Sequence, residues 1–292
     1  MEPAAIPIGS SGLEFGLQLW LAYPSDLVEP AIEEACAAIL DNVERARAAR
    51  FRFARHRLEF LATHALTRMA LSHAQPLPPQ AWRFSVNKYG KPSPIPGPLR
   101  TDLGPRGGIP ECGLRFNQSN SLELAACLIA RPDPTGGGTA EVGVDVESFA
   151  RAEEIVPLAR RVFSAAERAR LEALPIAARP DRALSLWTLK EAYIKARGMG
   201  LSLPLDGISF LFDGPQAARL EVAPGVDDNP GRWRFCHFDH EGHRIALAVE
   251  ANAAGDVEIF EARPPLGTPT RLTWGSPGWF PISARSGGGR ET

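Results

Sequence analysis

The sequence predicts an α+β fold, a pseudo-dimer of two similar lobes in which each lobe packs a small, mostly antiparallel sheet against a long helix. The first observation is that apolar patterns run twice in the order strand, helices, strands. The second is a Pro/Gly-rich connector between the two runs, "RPDPTGGGTAE" at 131–141. No residue-level repeat is visible, so the similarity lies in element order. We expect an N-terminal lobe at 1–135, a C-terminal lobe at 141–262 and a flexible tail at 263–292.

The first lobe begins with "FGLQLWLAYP", whose alternation of side chains predicts a strand. Helical periodicity follows in "PAIEEACAAILDNVERARAARF" and again in "RLEFLATHALTRMALSH". The stretch "LRFNQSNSLELAACLIA" reads as a turn followed by an apolar strand. Residues 97–113 have Gly and Pro at many positions and are predicted to form a surface loop.

The second lobe repeats this order. The segment "EVGVDVES" predicts a strand, 152–174 and 181–197 predict helices, and "WRFCHFD" with "HRIALAVEA" predicts a late hairpin.

Composition favours a soluble globular protein with an ample core, because 44% of the 292 residues are hydrophobic and 23% are charged. The net charge of −2 argues against a general nucleic-acid binder. Four cysteines lack a metal-ligand spacing, and no window is apolar enough to span a membrane. We expect a reduced, cytoplasmic protein with no nucleic-acid or membrane partner.

The helix predicted in "LSLWTLKEAYIKARG" carries charges among apolar residues. Helical geometry puts Glu191 and Lys195 on one face together with Trp187. A carboxylate on such a helix is costly to desolvate unless a cation, a metal or several donors meet it. Either Glu191 and Lys195 form an ordinary i,i+4 pair, or Glu191 meets a more demanding partner.

A second acidic element lies in "VGVDVES". Asp145 and Glu147 are two residues apart on a strand, hence on the same side, and the neighbouring valines face the other way. Adjacent carboxylates repel unless a hard cation such as Mg²⁺ binds them, although a D-x-E pair is also common on a solvent-facing strand. Glu191 could supply a third carboxylate.

Three stretches taken together, "VGVDVES", "RVFSAAERARL" and "LWTLKEAYIKARGMGLSLPLD", resemble the 4′-phosphopantetheinyl transferases. The match is closer to the large, two-lobed type, which activates surfactin synthetase and primes peptide and polyketide synthetases in secondary metabolism. "RFSVNKYGKPSPIP" and "LRFNQSNSLELAACLIA" extend the resemblance to roughly residues 15–250.

The resemblance implies transfer of the phosphopantetheine arm of coenzyme A to a serine of an apo acyl carrier or peptidyl carrier protein, with release of 3′,5′-ADP. It implies Mg²⁺, with Mn²⁺ as an alternative, held by Asp145, Glu147 and Glu191. Lys195 resembles the family lysine that reaches the phosphates. Positioning and charge neutralisation dominate phosphoryl transfer, and a metal with a lysine suits that task. We expect a monomer with its cleft between the lobes.

Two more residues have catalytic roles in the family pattern. Glu167 matches a glutamate that acts as general base, although it could instead be an acid in the first helical turn after an N-cap at Ser164. Lys190 matches the lysine of the K-E-A motif, but it could equally be a solvated or structural charge.

The N-terminal lobe is expected to hold the nucleotide of coenzyme A. Six arginines between 45 and 57, Arg52 among them, could bind its 3′-phosphate or form a solvated helix face. The resemblance places Lys91 and Pro92 of "YGKP" near the nucleotide, with Arg68 as a weaker candidate that could be a surface charge.

The chain departs from the family where F-N-x-S-H-S becomes "FNQSNS". Ser119 keeps its place, but Asn120 replaces the histidine that meets the phosphates of coenzyme A. Asparagine brings no charge, so we expect weakened or altered binding of coenzyme A and comparative indifference to its 3′-phosphate. A non-catalytic homologue that binds coenzyme A or carrier protein is the alternative, and a nucleic-acid-associated protein resting on the arginines is a third.

Overall fold

The structure is a computed structural model that describes residues 16–95, 113–133, 138–212, 218–253, 256–272 and 279. Within these residues the α-helices are α1 (Pro30–Ile39), α2 (Asn42–Ala48), α3 (Ala54–Ala74), α4 (Ala152–Ile155), α5 (Ala159–Val162), α6 (Ala165–Glu172) and α7 (Arg179–Arg197). The strands are β1 (Leu17–Ala22), β2 (Arg83–Val86), β3 (Pro92–Ile95), β4 (Arg115–Ser121), β5 (Leu124–Ala130), β6 (Val142–Ser148), β7 (Ile208–Phe212), β8 (Ala218–Val222), β9 (Trp233–His240), β10 (His243–Glu250), β11 (Val257–Arg263) and β12 (Leu266–Leu272).

The two larger sheets lie face to face between α3 and α7. One has the order β12-β11-β1-β5-β4 and the other has the order β6-β10-β9. Alternate side chains of β1 and β5 face either the helix α3 or the second sheet, so every residue of both strands is buried. The layers therefore follow the order helix, sheet, sheet, helix. The mixed α+β class predicted from the sequence is confirmed.

The pairing is antiparallel throughout, except that β1 lies parallel to β11. Small hairpins follow the two long helices, β2–β3 after α3 and β7–β8 after α7. No helix in the described residues has an apolar stretch long enough to cross a bilayer.

Several elements differ from the sequence predictions. "LRFNQSNS" forms strand β4 rather than a turn, because its alternate polar residues satisfy the edge of β6. The predicted C-terminal lobe does not end within its own sheet, since β11 joins β1 of the first sheet. In the predicted tail, Leu266–Leu272 forms β12, and most of 273–292 lies outside the described residues, as does 97–112 of the predicted loop.

The long helix of each half carries one buried cationic side chain, Arg68 on α3 and Lys190 on α7. In the first half Arg68 is fully buried and donates to Glu44 Oε2 at 2.6 Å and to the carbonyls of Pro79 and Trp82. Glu44 is the N3 residue of a capping box that begins at Asp41.

Lys190 occupies the corresponding place in the second half, 1% exposed. It pairs with Glu167 Oε2 at 2.7 Å and donates to the carbonyls of Leu205 and Ile208. Glu167 is again the N3 residue of a capping box, which begins at Ser164.

Candidate active site

A cavity of about 560 Å³ opens between α2, α3, the β2–β3 hairpin, β4 and α7. Its lining includes Arg47, His64, Pro92, Gln118, Ser119, Asn120 and Lys195. A second cavity of about 340 Å³ shares Gly90, Pro92, Gln118 and Lys195 with it and also contains Lys91 and Glu191. Together the two cavities form one cleft, which lies where the first sheet meets α7.

Side chains of β4 cap the free edge of β6. The backbone N–H groups of β6 donate to alternate side chains of β4, in the pairs Val144 to Asn117 Oδ1 (2.9 Å), Val146 to Ser119 Oγ (3.3 Å) and Ser148 to Ser121 Oγ (3.2 Å). Because the strand period is two, the same alternation that caps the edge also points these side chains at the carboxylates of β6. The polar run "NQSNS" thus joins the halves and contributes to the site.

The face of β6 that bears the carboxylates packs against α7. The valines of β6 contact the first sheet, as their alternation predicts. At Gly143 a methyl group would overlap the carbonyl oxygen of Ala192 and the amide of Ala196, so the absence of a side chain permits this close approach of strand and helix. The carboxylates of β6 therefore face Glu191 and Lys195 on α7.

Asp145 is the centre of this arrangement. Its Oδ1 accepts hydrogen bonds from Ser119 Oγ at 2.9 Å and from Lys195 Nζ at 2.6 Å. Its Oδ2 is buried without a hydrogen-bond partner in the described structure. Burial raises the pKa of Asp145 to about 7, with Lys195 opposing the rise and Glu147 adding to it. A buried carboxylate oxygen without a donor is a position at which a cation would be stabilised.

Glu147 is held at both oxygens. Trp187 Nε1 donates to Oε1 at 2.8 Å, while Ser121 Oγ (3.0 Å) and Arg151 Nη1 (2.6 Å) donate to Oε2. These contacts fix the carboxylate beside Asp145.

Glu191 lines the cleft and makes neither a hydrogen bond nor an ion pair in the described residues. The ordinary i,i+4 pair with Lys195 is therefore not formed, because the ammonium of Lys195 lies on Asp145 instead. Burial raises the pKa of Glu191. The charge of Lys195 opposes this rise, and the charge of Glu147 adds to it. The carboxylate of Glu191 is available to a ligand.

The three acidic residues do not already form a closed ligand set. Among the described residues, no group of three or more His, Cys, Asp or Glu side chains is arranged so that it could hold a metal ion. The donor chemistry nevertheless fits a hard cation, since the negative charge of Glu147 helps to raise the pKa values of Asp145 and Glu191, and Asp145 Oδ2 has no partner in the described structure.

The nucleotide-binding candidates are distributed unequally. Pro92, Ser119 and Asn120 line the larger cavity. Lys91 lines the smaller one, but its Nζ is bound to Glu141 at 2.5 Å and to the Ala196 carbonyl at 2.7 Å, and burial lowers its pKa. Arg52 is exposed, lies over the ring of Phe53 and does not line the cleft.

The other two catalytic candidates are not brought to the cleft. Glu167 is 1% exposed and accepts from Phe210 N at Oε1 and from Ser164 N and Lys190 Nζ at Oε2. Burial raises the pKa of Glu167 and lowers that of Lys190, with the charge of each partner opposing the shift. The Lys190–Glu167 pair is part of the packed second half. Arg68, which the sequence suggests as a surface charge or ligand, is also fully buried.

Sequence reasoning missed Glu44 and His64 as residues that shape the site, and it placed Trp187 on the face of Glu191 and Lys195 without giving it a role. Glu44 could have been found from the capping-box pattern "DNVE". Trp187 lies one helical turn before Glu191, on the face that carries Lys195. His64 has no sequence signal beyond its i,i+4 spacing from Phe60 and Arg68.

Comparison with known proteins relates this chain to one family. Residues 141–248 match the 4′-phosphopantetheinyl transferase superfamily. The chain is similar to the 4′-phosphopantetheinyl transferase HetI of Nostoc sp., with 32% identity over 71% of this chain and 79% of that protein. It is also similar to a 4′-phosphopantetheinyl transferase of Bacillus subtilis, with 28% identity over 78% and 90% of the two chains.

A shorter match links the chain to the transferase Sfp of Bacillus subtilis, with 31% identity over 49% of this chain and 54% of that protein. Among solved structures, a holo-(acyl-carrier-protein) synthase of Bacillus anthracis in complex with CoA (3′,5′-ADP) matches at a TM-score of 0.32 and 18% identity. That match covers 38% of this chain and 94% of the synthase. The extent and identity of the match to HetI show that this chain belongs to the 4′-phosphopantetheinyl transferase superfamily.

Proposed function

We propose that the protein transfers the 4′-phosphopantetheine arm of coenzyme A to a serine of an apo acyl carrier or peptidyl carrier protein, releasing 3′,5′-ADP. The observation that carries this proposal is the cleft in which Asp145, Lys195 and Ser119 contact one another beside an unpaired Glu191, in a chain of this superfamily. Carboxylates with raised pKa values beside a lysine at a cleft are typical of functional sites.

In the proposed reaction the serine oxygen forms a bond to the phosphorus that carries pantetheine. The phosphoanhydride bond breaks, 3′,5′-ADP leaves with the bonding electron pair, and the serine proton is released. Lys195 would donate from Nζ to the departing phosphate, which requires it to leave or share its contact with Asp145 Oδ1. Ser119, which already donates to Asp145 and accepts from Lys195, keeps both groups in place.

We propose that Asp145, Glu147 and Glu191 hold Mg²⁺, with Mn²⁺ as an alternative. When bound, the metal would neutralise charge on the pyrophosphate. Trp187, Ser121 and Arg151 would keep Glu147 oriented, since they occupy both of its oxygens. The unpartnered Oδ2 of Asp145 and the free carboxylate of Glu191 support this assignment.

We assign no base or acid step to Glu167 or Lys190, because they pair with each other in the packed second half and neither lines the cleft. Arg52 is likewise left out of the coenzyme A site and is better suited to contacts with an acidic carrier protein on the exposed face. Pro92 and Asn120 are retained as lining residues of the nucleotide end.

The two halves are proposed to be related lobes of a pseudo-dimer, active as a monomer. Equal strand order supports this: β1-β5-β4 in one sheet corresponds to β6-β10-β9 in the other. Along the chain, β1 and β6 are each followed by helices that end in one long helix, then by a small hairpin, and then by the other two strands of the set. The buried pairs Arg68–Glu44 and Lys190–Glu167 also correspond. The lobe boundaries 1–135 and 141–262 then need one revision, because β11 and β12 extend the first sheet.

The proposal is tested by incubating the protein with coenzyme A, Mg²⁺ and apo acyl carrier or peptidyl carrier protein. Mass spectrometry of the carrier should show the phosphopantetheine increment, and chromatography should show an equal amount of 3′,5′-ADP. Binding of coenzyme A without either product would support a non-catalytic homologue instead.

A further inference from the structure

His64 lies on α3, lines the larger cavity and has a fixed ring orientation. Its Nδ1 is 2.8 Å from Glu44 Oε1, and its ring stacks on Phe60 with the centroids 4.0 Å apart. Within the described structure its Nε2 makes no hydrogen bond. The ring is therefore held by two neighbours and leaves one nitrogen for a ligand in the cavity.

Glu44 supplies a lasting negative charge to this histidine. Burial acts to raise the pKa of Glu44, but hydrogen bonds from His64 and the Asp41 backbone, with the charges of His64 and Arg68, lower it to about 2. An ionised carboxylate at Nδ1 accepts the Nδ1–H hydrogen bond and thereby fixes the orientation of the ring. When Nε2 also carries a proton it can only donate, which suits an anion.

The cavity has two places for an anion. Lys195 and Ser119 mark one, next to the carboxylates, and the proposed function puts the pyrophosphate of coenzyme A there. Arg47 and His64 mark the other, on the wall formed by α2 and α3, where both contact the ring of Phe60. Coenzyme A likewise carries phosphate at two positions, the pyrophosphate and the ribose 3′-phosphate.

We infer that His64, oriented by Glu44, is a specificity-determining residue that binds the 3′-phosphate of coenzyme A. It would take over, from α3, the part that the family resemblance assigns to a histidine where this chain has Asn120 on β4. The inference rests on the proposed function, and it reverses the sequence-based expectation that the protein is indifferent to this phosphate.

The charged groups facing His64 are those of α2, α3 and α7. Asp41 and Glu44 are paired with the buried Arg68, while Arg47 and Lys195 line the cavity. The cationic side chains that face an anion beside His64 are therefore Arg47 on its own wall and Lys195 on the opposite wall.

The experiment measures transfer to an apo carrier protein from coenzyme A and from 3′-dephospho-coenzyme A. His64→Gln should raise KM for coenzyme A roughly 10-fold, because a charge-assisted hydrogen bond is lost, and should leave kcat unchanged. KM for the dephospho compound should not change. His64→Arg, which keeps a cationic hydrogen-bond donor at this position, should hold KM for coenzyme A near the wild-type value.

His56→Gln serves as the matched control, because His56 is on the same helix but does not line the cavity. It should behave as wild type with both donors. An equal change of KM for both donors in His64→Gln, or no change for either, would overturn the inference while leaving the proposed function standing. A wild-type protein that transfers from neither donor would overturn the proposed function and this inference with it.

Discussion

The capping-box glutamates of the two halves, Glu44 and Glu167, are alike in position and opposite in surroundings. Each receives a fully buried cation from the long helix, and each of those cations also donates to carbonyls of the segment that follows the helix. The second oxygen of Glu167 accepts a hydrogen bond from the backbone N–H of Phe210, so the Lys190–Glu167 pair is enclosed within the second half. The second oxygen of Glu44 forms a hydrogen bond with Nδ1 of His64, which lines the cleft.

The same capping-box motif thus serves packing in the second half and reaches the cleft in the first half. The pKa of Glu44 is lowered to about 2, whereas burial raises the pKa of Glu167. The family resemblance assigns catalytic roles to Glu167 and Lys190, whereas their contacts in the structure lie within the packed second half. Glu44, to which the family resemblance assigns no role, connects the buried pair of the first half to the cavity through His64. Four predictions break or sharpen this comparison.

The largest effect on stability is expected on breaking the buried Lys190–Glu167 pair. Lys190→Ala or Glu167→Ala should lower the free energy of unfolding by about 3 to 5 kcal/mol, because each leaves an uncompensated buried charge. Urea denaturation followed by circular dichroism measures this. The fraction that folds should keep its transfer activity per molecule. A variant that is as stable as wild type but inactive would return the residue to the catalytic set.

The charges that face the cleft should behave in the reverse way. Asp145→Ala and Glu191→Ala should each lower kcat/KM for transfer by roughly 100-fold or more, because each removes a proposed metal ligand, while the unfolding midpoint stays near wild type. The double variant should be little worse than either single one, since these residues act as a unit. The exposed Glu172→Ala is the control, and wild-type activity in the Asp145 variant would remove that residue from the site.

The opposite pKa shifts predict opposite responses to acid. Since the pKa of Glu44 is about 2 in the fold and about 4.3 when unfolded, the unfolded chain binds more protons between these values. Stability from Glu44 is therefore complete above pH 4.3 and is lost as pH falls toward 2. Glu44→Gln should be less stable at neutral pH but should have a flatter stability profile over that window.

Denaturation profiles collected at half-unit intervals of pH would measure this slope. Glu167→Gln is the matched variant. Because the folded pKa of Glu167 is raised, the same substitution should not flatten the acid limb. Equal slopes in the two variants would contradict the comparison.

The smallest effect is expected at the two N-caps. Ser164→Ala should cost about 1 kcal/mol, the usual value for losing a capping side chain. Asp41→Ala should cost more, because Asp41 Oδ2 also lies 3.2 Å from Arg68 Nη2. Thermal unfolding of both variants measures the difference, and equal costs would mean that Asp41 contributes nothing to Arg68.

Local patterns sufficed for much of this fold. The period of two in "VGVDVES" put Asp145 and Glu147 on one side of β6, and the helical period put Glu191 and Lys195 together on α7. Long-range partners could not be read in this way. The use of Asn117, Ser119 and Ser121 to cap β6 depends on which strand lies beside them, and that is a property of the assembled sheets.

Buried charges were also beyond the sequence. Arg68 and Lys190 look like surface residues because lysine and arginine are rarely enclosed, and their enclosure here depends on carbonyls contributed 11 to 18 positions along the chain. The sequence analysis did not predict strands β11 and β12, because the Pro/Gly-rich composition near them is typical of a tail.

The parallel pairing of β1 with β11 has a consequence for biosynthesis. Leu17 pairs with Val257, 240 positions later, so the first sheet lacks a strand until the ribosome has nearly finished the second half. Until then β1 has an open edge beside the apolar side chains of Leu19 and Leu21, the kind of edge that recruits other chains. The nascent protein therefore depends on timely arrival of its last strands, and a synonymous codon change that slows elongation before residue 257 should increase aggregation without altering a single contact of the finished molecule.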